Sequence, residues 1–326
     1  MVVPLVLAAF WLLISPVNAW WLSKNHQGNS FYDDWWWWDD NDPTQGTVDY
    51  RPLWEGKQLG LTWVTDSNQF GMRVESSYMV GEDERGRKSI RIQSNSAYGK
   101  GSMFVLDLEH MPQGCGTWPA YWSNGQGKWP QGGEIDFIEG TNSIRDDRNR
   151  YTIHTGFEAD YSCTMTWANK DQFTGQPHGP NCQGYAGCSI LSKENSAFGA
   201  GLNRVGGGWH VFRWDDKGMS FWWFPRNAAN IPWVLTSGAS GIDDSDLGMP
   251  DAIFPDDENC DMASRFTPQN IIFDTTLCGS WINNWNGNCA AEWGNSSWGC
   301  PNMVRNNPSE FKQAYWLINS LKVYSQ

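Results

Sequence analysis

Three carboxylates fall within six residues in the stretch Trp129-Pro-Gln-Gly-Gly-Glu134-Ile-Asp136-Phe-Ile-Glu139-Gly, interleaved with the apolar Ile135, Phe137 and Ile138. Closely spaced acids can divide nucleophile and proton-donor duties at one bond. In a regular strand Glu134 and Asp136 share a face, whereas Glu139 points the other way. A β-bulge at Phe137 or Ile138 would return Glu139 to the carboxylate face, and bulges are common beside active sites. The outer backbones would then stand about 13 Å apart, and inward-leaning glutamates could bring their carboxyls to about 5 Å. That separation suits double displacement with retention at a sugar carbon, while inversion needs about 6.5–9.5 Å. Asp136 should push the two glutamates apart in acidity, with hydrogen bonds holding Glu134 low and burial raising Glu139. The alternative is a solvated polar strand face, and Gly132-Gly133 and the surrounding aromatics argue against it.

Such a bulged strand needs a sheet to carry it. Short alternating runs recur between turn residues at Gln58 to Val64, Arg87 to Gln93, Met103 to Leu108, Glu134 to Ile138, Tyr151 to Thr155, Trp209 to Trp214, Ser220 to Phe224, Asn270 to Asp274 and Leu321 to Tyr324. Their spacing predicts an all-β sandwich of two antiparallel sheets with no long helix. Tyr161 to Asn195 and Cys278 to Pro301 lack periodicity and read as long loops pinned by disulfides. No linker or repeat divides residues 20–326, which read as one catalytic-size domain. The Trp35 to Trp38 run cannot bury every indole on one strand face, so some should be exposed or in a cleft.

With 326 residues, 18% charged and 40% hydrophobic, the chain is too apolar for a charge-rich disordered protein, and its 34 glycines and 16 prolines exclude a helical bundle. A net charge of −13 without a basic cluster argues against nucleic acid as a partner. The 23 tryptophans, against 15 phenylalanines, suit stacking on flat, weakly polar faces such as sugar rings. Residues 1–19 carry no charge and end in Val17-Asn18-Ala19, which reads as a secretory signal peptide, with no membrane span in the mature chain. Eight cysteines without zinc spacing predict disulfides of open connectivity, Cys182 and Cys188 being near enough for a local loop. Asn295-Ser-Ser is a glycosylation sequon.

The chain resembles glycoside hydrolase family 16, specifically the secreted fungal-type endo-β-1,3(4)-glucanases or laminarinases. The resemblance is densest in Gly116-Thr-Trp118-Pro-Ala-Tyr-Trp122, Gly132-Gly-Glu-Ile-Asp-Phe-Ile-Glu-Gly140 and Thr152-Ile-His-Thr155. Weaker echoes are Asp42-Pro-Thr-Gln-Gly46, Cys278-Gly-Ser-Trp281 and Tyr315 to Tyr324. It implies a β-jelly-roll with a concave substrate cleft, Glu134 as nucleophile and Glu139 as acid/base, with Asp136 between them. It also implies Trp122, Trp129 and Trp281 as sugar platforms, His154 near the scissile bond, a β-1,3- or mixed-linkage β-glucan as substrate, and the bulged rather than the lichenase pattern. The charged loop Ser143 to Arg150 and the Trp35 to Trp38 run depart from that pattern.

Read from residues alone, Trp122 and Trp129 lie among Gly, Pro, Asn and Lys and look like loop-borne cleft platforms. Arg91 sits on a polar face that is either cleft or solvent, and His154 by itself could be a core histidine. The Asp243 to Asp246 and Asp256 to Glu258 clusters lack EF-hand spacing, so no metal and no cofactor are expected. No nucleophile motif accompanies His26, His110, His178 or His210. A secreted monomeric hydrolase is therefore expected. A β-glucan transglycosylase and a β-glucan-binding recognition protein are the alternatives, and a pure binder has no use for the three acids.

Overall fold

In the computed structural model, the described residues are 19–141, 147–157, 162–282, 287–294 and 299–326. Residues 1–18 of the signal-peptide reading 1–19, the sequon at 295–297 and residues 143–146 of the charged loop lie outside them. Two large antiparallel sheets dominate, as expected. The concave sheet runs Gln176–His178, Cys188–Leu191, Arg150–His154, Glu134–Glu139, Thr117–Gly125, Gln269–Leu277, Ile92–Tyr98 and Trp35–Trp37. The outer sheet runs Gly241–Asp243, Ala19–His26, Tyr315–Ser325, Ser102–His110, Gly208–Asp215, Gly218–Pro225 and Ala252–Pro255. A short parallel pair, Val48–Tyr50 with Arg87–Ser89, lies apart from both.

Alternation in the central strands explains why the sheets face each other. Ile135, Phe137, Tyr121 and Phe273 project from the concave sheet into one core with Phe104, Phe212 and Phe221 of the outer sheet. Phe137 alone touches Phe104, Tyr121, Phe212 and Phe221. Truncating so buried a ring costs about 3–5 kcal/mol. The same strand that anchors the core therefore carries the acids on its other face.

The tryptophan run divides by strand parity: Trp35 and Trp37 are buried, and Trp36 is 47% exposed. Three loop and strand assignments change. Gln58 to Val64 is split between a helix, Leu53–Gln58, and a strand, Thr62–Val64, because Pro52 starts a helical turn ahead of it. The segment from Tyr161 to Asn195 contributes two strands, Gln176–His178 at the edge of the concave sheet and Cys188–Leu191 next to it. Cys278 to Pro301 carries the short helix Gly287–Trp293 and the start of Gly299–Asn306, the second buried along Cys300, Met303 and Val304. Disulfides join Cys115 to Cys289, Cys163 to Cys260, Cys182 to Cys188 and Cys278 to Cys300.

Candidate active site

The acidic strand pairs with Thr117–Gly125 in a register that shifts between Asp136 and Ile138. Phe137 is thus the bulged residue, and Glu134, Asp136 and Glu139 all turn to the concave face. The two glycines ahead of them are required by space. A Cβ on Gly132 would lie 2.3 Å from the Gln126 carbonyl oxygen, and one on Gly133, at φ +77°, would lie 2.2 Å from the Phe266 ring.

At one end of the strand the Trp129 indole N–H donates to Glu134 Oε2. His154, paired directly opposite Glu134, places Nε2 3.3 Å from Asp136 Oδ2 and 4.0 Å from Glu134 Oε1. Its other nitrogen is 2.8 Å from the Gly184 carbonyl oxygen, which makes Nδ1 the donor there and fixes the ring. Gly187 clears the space, since a Cβ there would meet the imidazole at 2.7 Å. At the other end Trp118 Nε1 donates to Glu139 Oε1 at 2.9 Å. Trp281, 44% exposed, meets Trp118 edge-on at 5.3 Å.

Burial acts on these groups unequally. Desolvation first, then the Asp136 charge, pushes Glu134 upward, partly offset by His154 and by the Trp129 hydrogen bond. Glu139 is held well above the ordinary carboxylate range by desolvation, Asp136 and Glu134. The expectation that hydrogen bonds hold Glu134 low is therefore corrected: its bond to Trp129 is outweighed by loss of water and by Asp136. For His154 burial opposes the charged form, but the bond to Asp136 and the Glu134 charge prevail and raise it to about 10. A fixed imidazolium at neutral pH thus stands beside Glu134.

Trp122 is corrected from loop to strand. It lies opposite Asp136 on Thr117–Gly125, where the following Ser-Asn-Gly-Gln-Gly-Lys run had read as a loop. Arg91 resolves to the concave side and is only 6% exposed. Its guanidinium lies over both the Trp38 and Trp122 rings, at 4.6 and 5.1 Å, and 3.4 Å from Asp274. It is a buried stacking cation, not a free ligand group. Trp129 stands 5.2 Å from Tyr185 and 6.3 Å from Phe157, a cluster whose outer member Tyr185 is 82% exposed.

Sequence reasoning missed Trp118, although it lay inside a quoted motif block. It also missed Asn149, Tyr185 and Phe157, whose loop positions carry no spacing signal. Among the described residues the donor atoms of Glu134, Asp136 and His154 lie within 4.8 Å of one another. Mutual pairing of acids with an imidazolium accounts for that spacing. The acidic clusters elsewhere cap turns: Asp243 accepts from Ser245, and Asp257 accepts from Asn259 and Cys260.

Two carboxylates of unequal acidity on an aromatic-walled concave sheet define a carbohydrate-active β-sandwich. The comparisons make this specific: residues 35–324 match the family described as XgeA-like, catalytic GH16 domain, and the chain belongs to that family. A probable endo-1,3(4)-beta-glucanase of Aspergillus fumigatus is 39% identical over 310 residues, 93% of this chain and 45% of its own. A probable glycosidase of Schizosaccharomyces pombe is 38% identical over 313 residues, 93% of this chain and 68% of its own. The chain thus spans about half the length of the Aspergillus relatives it matches. Laminarinase 16A of Phanerochaete chrysosporium, solved with β-glucans in both donor and acceptor sites, superposes with a TM-score of 0.85 at 34% identity, covering 94% of this chain and 100% of its own. An elongating GH family 16 beta-1,3-glucosyltransferase does so at 0.84 and 34%, with the same coverage.

Proposed function

We propose that this chain is a secreted, retaining endo-β-1,3(4)-glucanase that cleaves internal bonds of β-1,3- and mixed-linkage β-glucans. One observation carries the reading: Glu134 and Glu139 face the same cleft across a one-residue bulge, each bonded by a different indole. The names of the Aspergillus relatives and the laminarinase complex support the substrate class. In the first step the Glu134 carboxylate attacks the anomeric carbon as the glycosidic bond breaks, and Glu139 gives its proton to the departing oxygen. In the second step Glu139 takes a proton from water, whose oxygen attacks the same carbon and releases Glu134 as carboxylate. Two inversions leave the configuration retained.

The environments suit that division. His154 beside Glu134 favours its charged form, whereas Glu139 faces two carboxylates and keeps its proton. Asp136 holds His154 in place, with His154 Nε2 3.3 Å from its Oδ2, and raises both glutamates. Trp129 and Trp281 would stack on sugars at the two ends, with Trp122 between them, backed by Arg91.

A transfer reading is favoured by the glucosyltransferase of equal similarity, in which a sugar hydroxyl replaces water in the second step. Product analysis on laminarin, lichenan and curdlan distinguishes them. Short reducing fragments support hydrolysis, and products longer than the substrate support transfer. Absence of any new product would leave a binding protein. The same preparation tests the remaining parts of the proposal: an N-terminus at Trp20 in the culture medium, a monomeric mass, and activity unchanged by EDTA. For the described residues, no helix is long and apolar enough to cross a membrane.

A further inference from the structure

On one side the bulge that returns Glu139 to the cleft has no ladder partner. Toward Arg150–His154 the acidic strand pairs only through Glu134, Ile135 and Asp136, against His154, Ile153 and Thr152. Continuing that register would bring Glu139 opposite Asn149, yet the ladder stops. The Phe137 carbonyl and the Glu139 N–H would then face a buried space without a backbone partner.

The Asn149 side chain takes both. Its Nδ2 donates to the Phe137 carbonyl oxygen at 2.7 Å, and its Oδ1 accepts from the Glu139 N–H at 3.1 Å. Asn149 is fully buried, and its own carbonyl accepts from Ser192 N–H at 2.8 Å, which ties it to the next strand of the sheet. The N–H and C=O of a strand residue face the same neighbour and supply it with one donor and one acceptor, and a primary amide is the side chain that carries both. A carboxylate in its place would present two acceptors, one of them against the Phe137 carbonyl. A methyl group would leave both backbone groups unmet.

We propose that Asn149 is a positioning residue that acts as a surrogate strand segment, clamping the bulge so that Glu139 points at the leaving oxygen. This rests on the reading of Glu139 as proton donor. Glu134, before the bulge and paired with His154, does not depend on the clamp. Loss of Asn149 should therefore harm proton donation and spare attack.

The test compares kcat/KM on laminarihexaose, whose departing sugar needs a proton, with kcat/KM on a dinitrophenyl β-laminaribioside, whose leaving group does not. Asn149→Ala should lose roughly 100-fold on the first, as expected for a general acid displaced by about 1 Å, and less than about fivefold on the second. Asn149→Asp, equal in size, should show the same selectivity and covers the case in which the alanine variant fails to fold. Equal losses on both substrates, or no loss, in a folded variant would overturn the clamp. Glu139→Gln run alongside separates the two readings. If it is itself unselective, the proton-donor assignment fails and takes the clamp with it. If it is selective while the folded Asn149 variant is not, only the clamp fails.

Discussion

The two ends of the acidic strand carry the same side chain in different surroundings. Glu134 sits before the bulge, paired across the ladder with His154 and facing a partly open aromatic cluster of Trp129, Phe157 and Tyr185. Glu139 sits after it, hydrogen-bonded by Trp118 and with its backbone clamped by Asn149. Asp136 raises both glutamates and His154 lowers both, but His154 lies directly opposite Glu134 in the ladder, and Glu139 carries the added push of the Glu134 charge. Burial raises both glutamates, so desolvation alone does not assign their roles; the asymmetry of charge does. In the proposed mechanism two identical side chains become nucleophile and acid by what the sheet packs beside them.

The largest expected effect comes from making the ends chemically silent. Glu139→Gln should lower kcat on laminarin by about 10²–10⁴-fold, the usual share of a general acid, and Glu134→Gln by at least as much, with the fold intact by circular dichroism. Near wild-type turnover in either would remove that residue from the chemistry. Next in size is aromatic truncation. Trp129→Ala at one end and Trp281→Ala at the other should each weaken oligosaccharide binding by about 1–3 kcal/mol in titration calorimetry. Unchanged affinity at one end would mean that sugars do not stack there.

The charge asymmetry itself is sharpened by pH. Because Glu134 is raised by burial, the acid limb of kcat/KM should lie above the ordinary glutamate value of about 4.3. His154→Asn removes the cation that favours the Glu134 carboxylate, so this limb should move further up; a downward move would contradict the assigned neighbour. The smallest effect is on stability. A raised carboxyl keeps its proton in the folded protein after the unfolded chain has lost it, so stability is full below the unfolded value and declines as pH rises toward the folded one. Glu134→Gln escapes that decline. Its Tm should exceed wild type at pH 7, by roughly 2–4 °C for each kcal/mol recovered, and the two should converge near pH 4.

Much of this was legible in sequence. The parity of Glu134, Asp136 and Glu139 required one extra residue, and the bulge at Phe137 supplies it. The carboxylate trio and its glycines were readable because strand geometry is periodic and close contacts demand glycine. Trp122 was misread because the Ser-Asn-Gly-Gln-Gly-Lys run after it looks like a loop although the strand continues to Gly125, and the buried placement of Arg91 between two indoles depends on tertiary packing that no spacing encodes. Asn149 was illegible for a related reason: it replaces a missing strand contact, so its role exists only where a ladder ends. The helices after Cys278 escaped notice because eight residues or fewer give little periodicity to read.

The central claim is that Glu134 attacks and Glu139 transfers protons, and azide tests it most directly. Azide fills the space left by a removed carboxylate, so the configuration of the glycosyl azide reports which side was vacated. Given an activated aryl β-laminaribioside, Glu134→Ala should be rescued to give the α-azide by a single inversion. Glu139→Ala should give the β-azide, since the Glu134 intermediate still forms before azide attacks. A β-azide from Glu134→Ala together with an α-azide from Glu139→Ala would contradict the account and exchange the two roles.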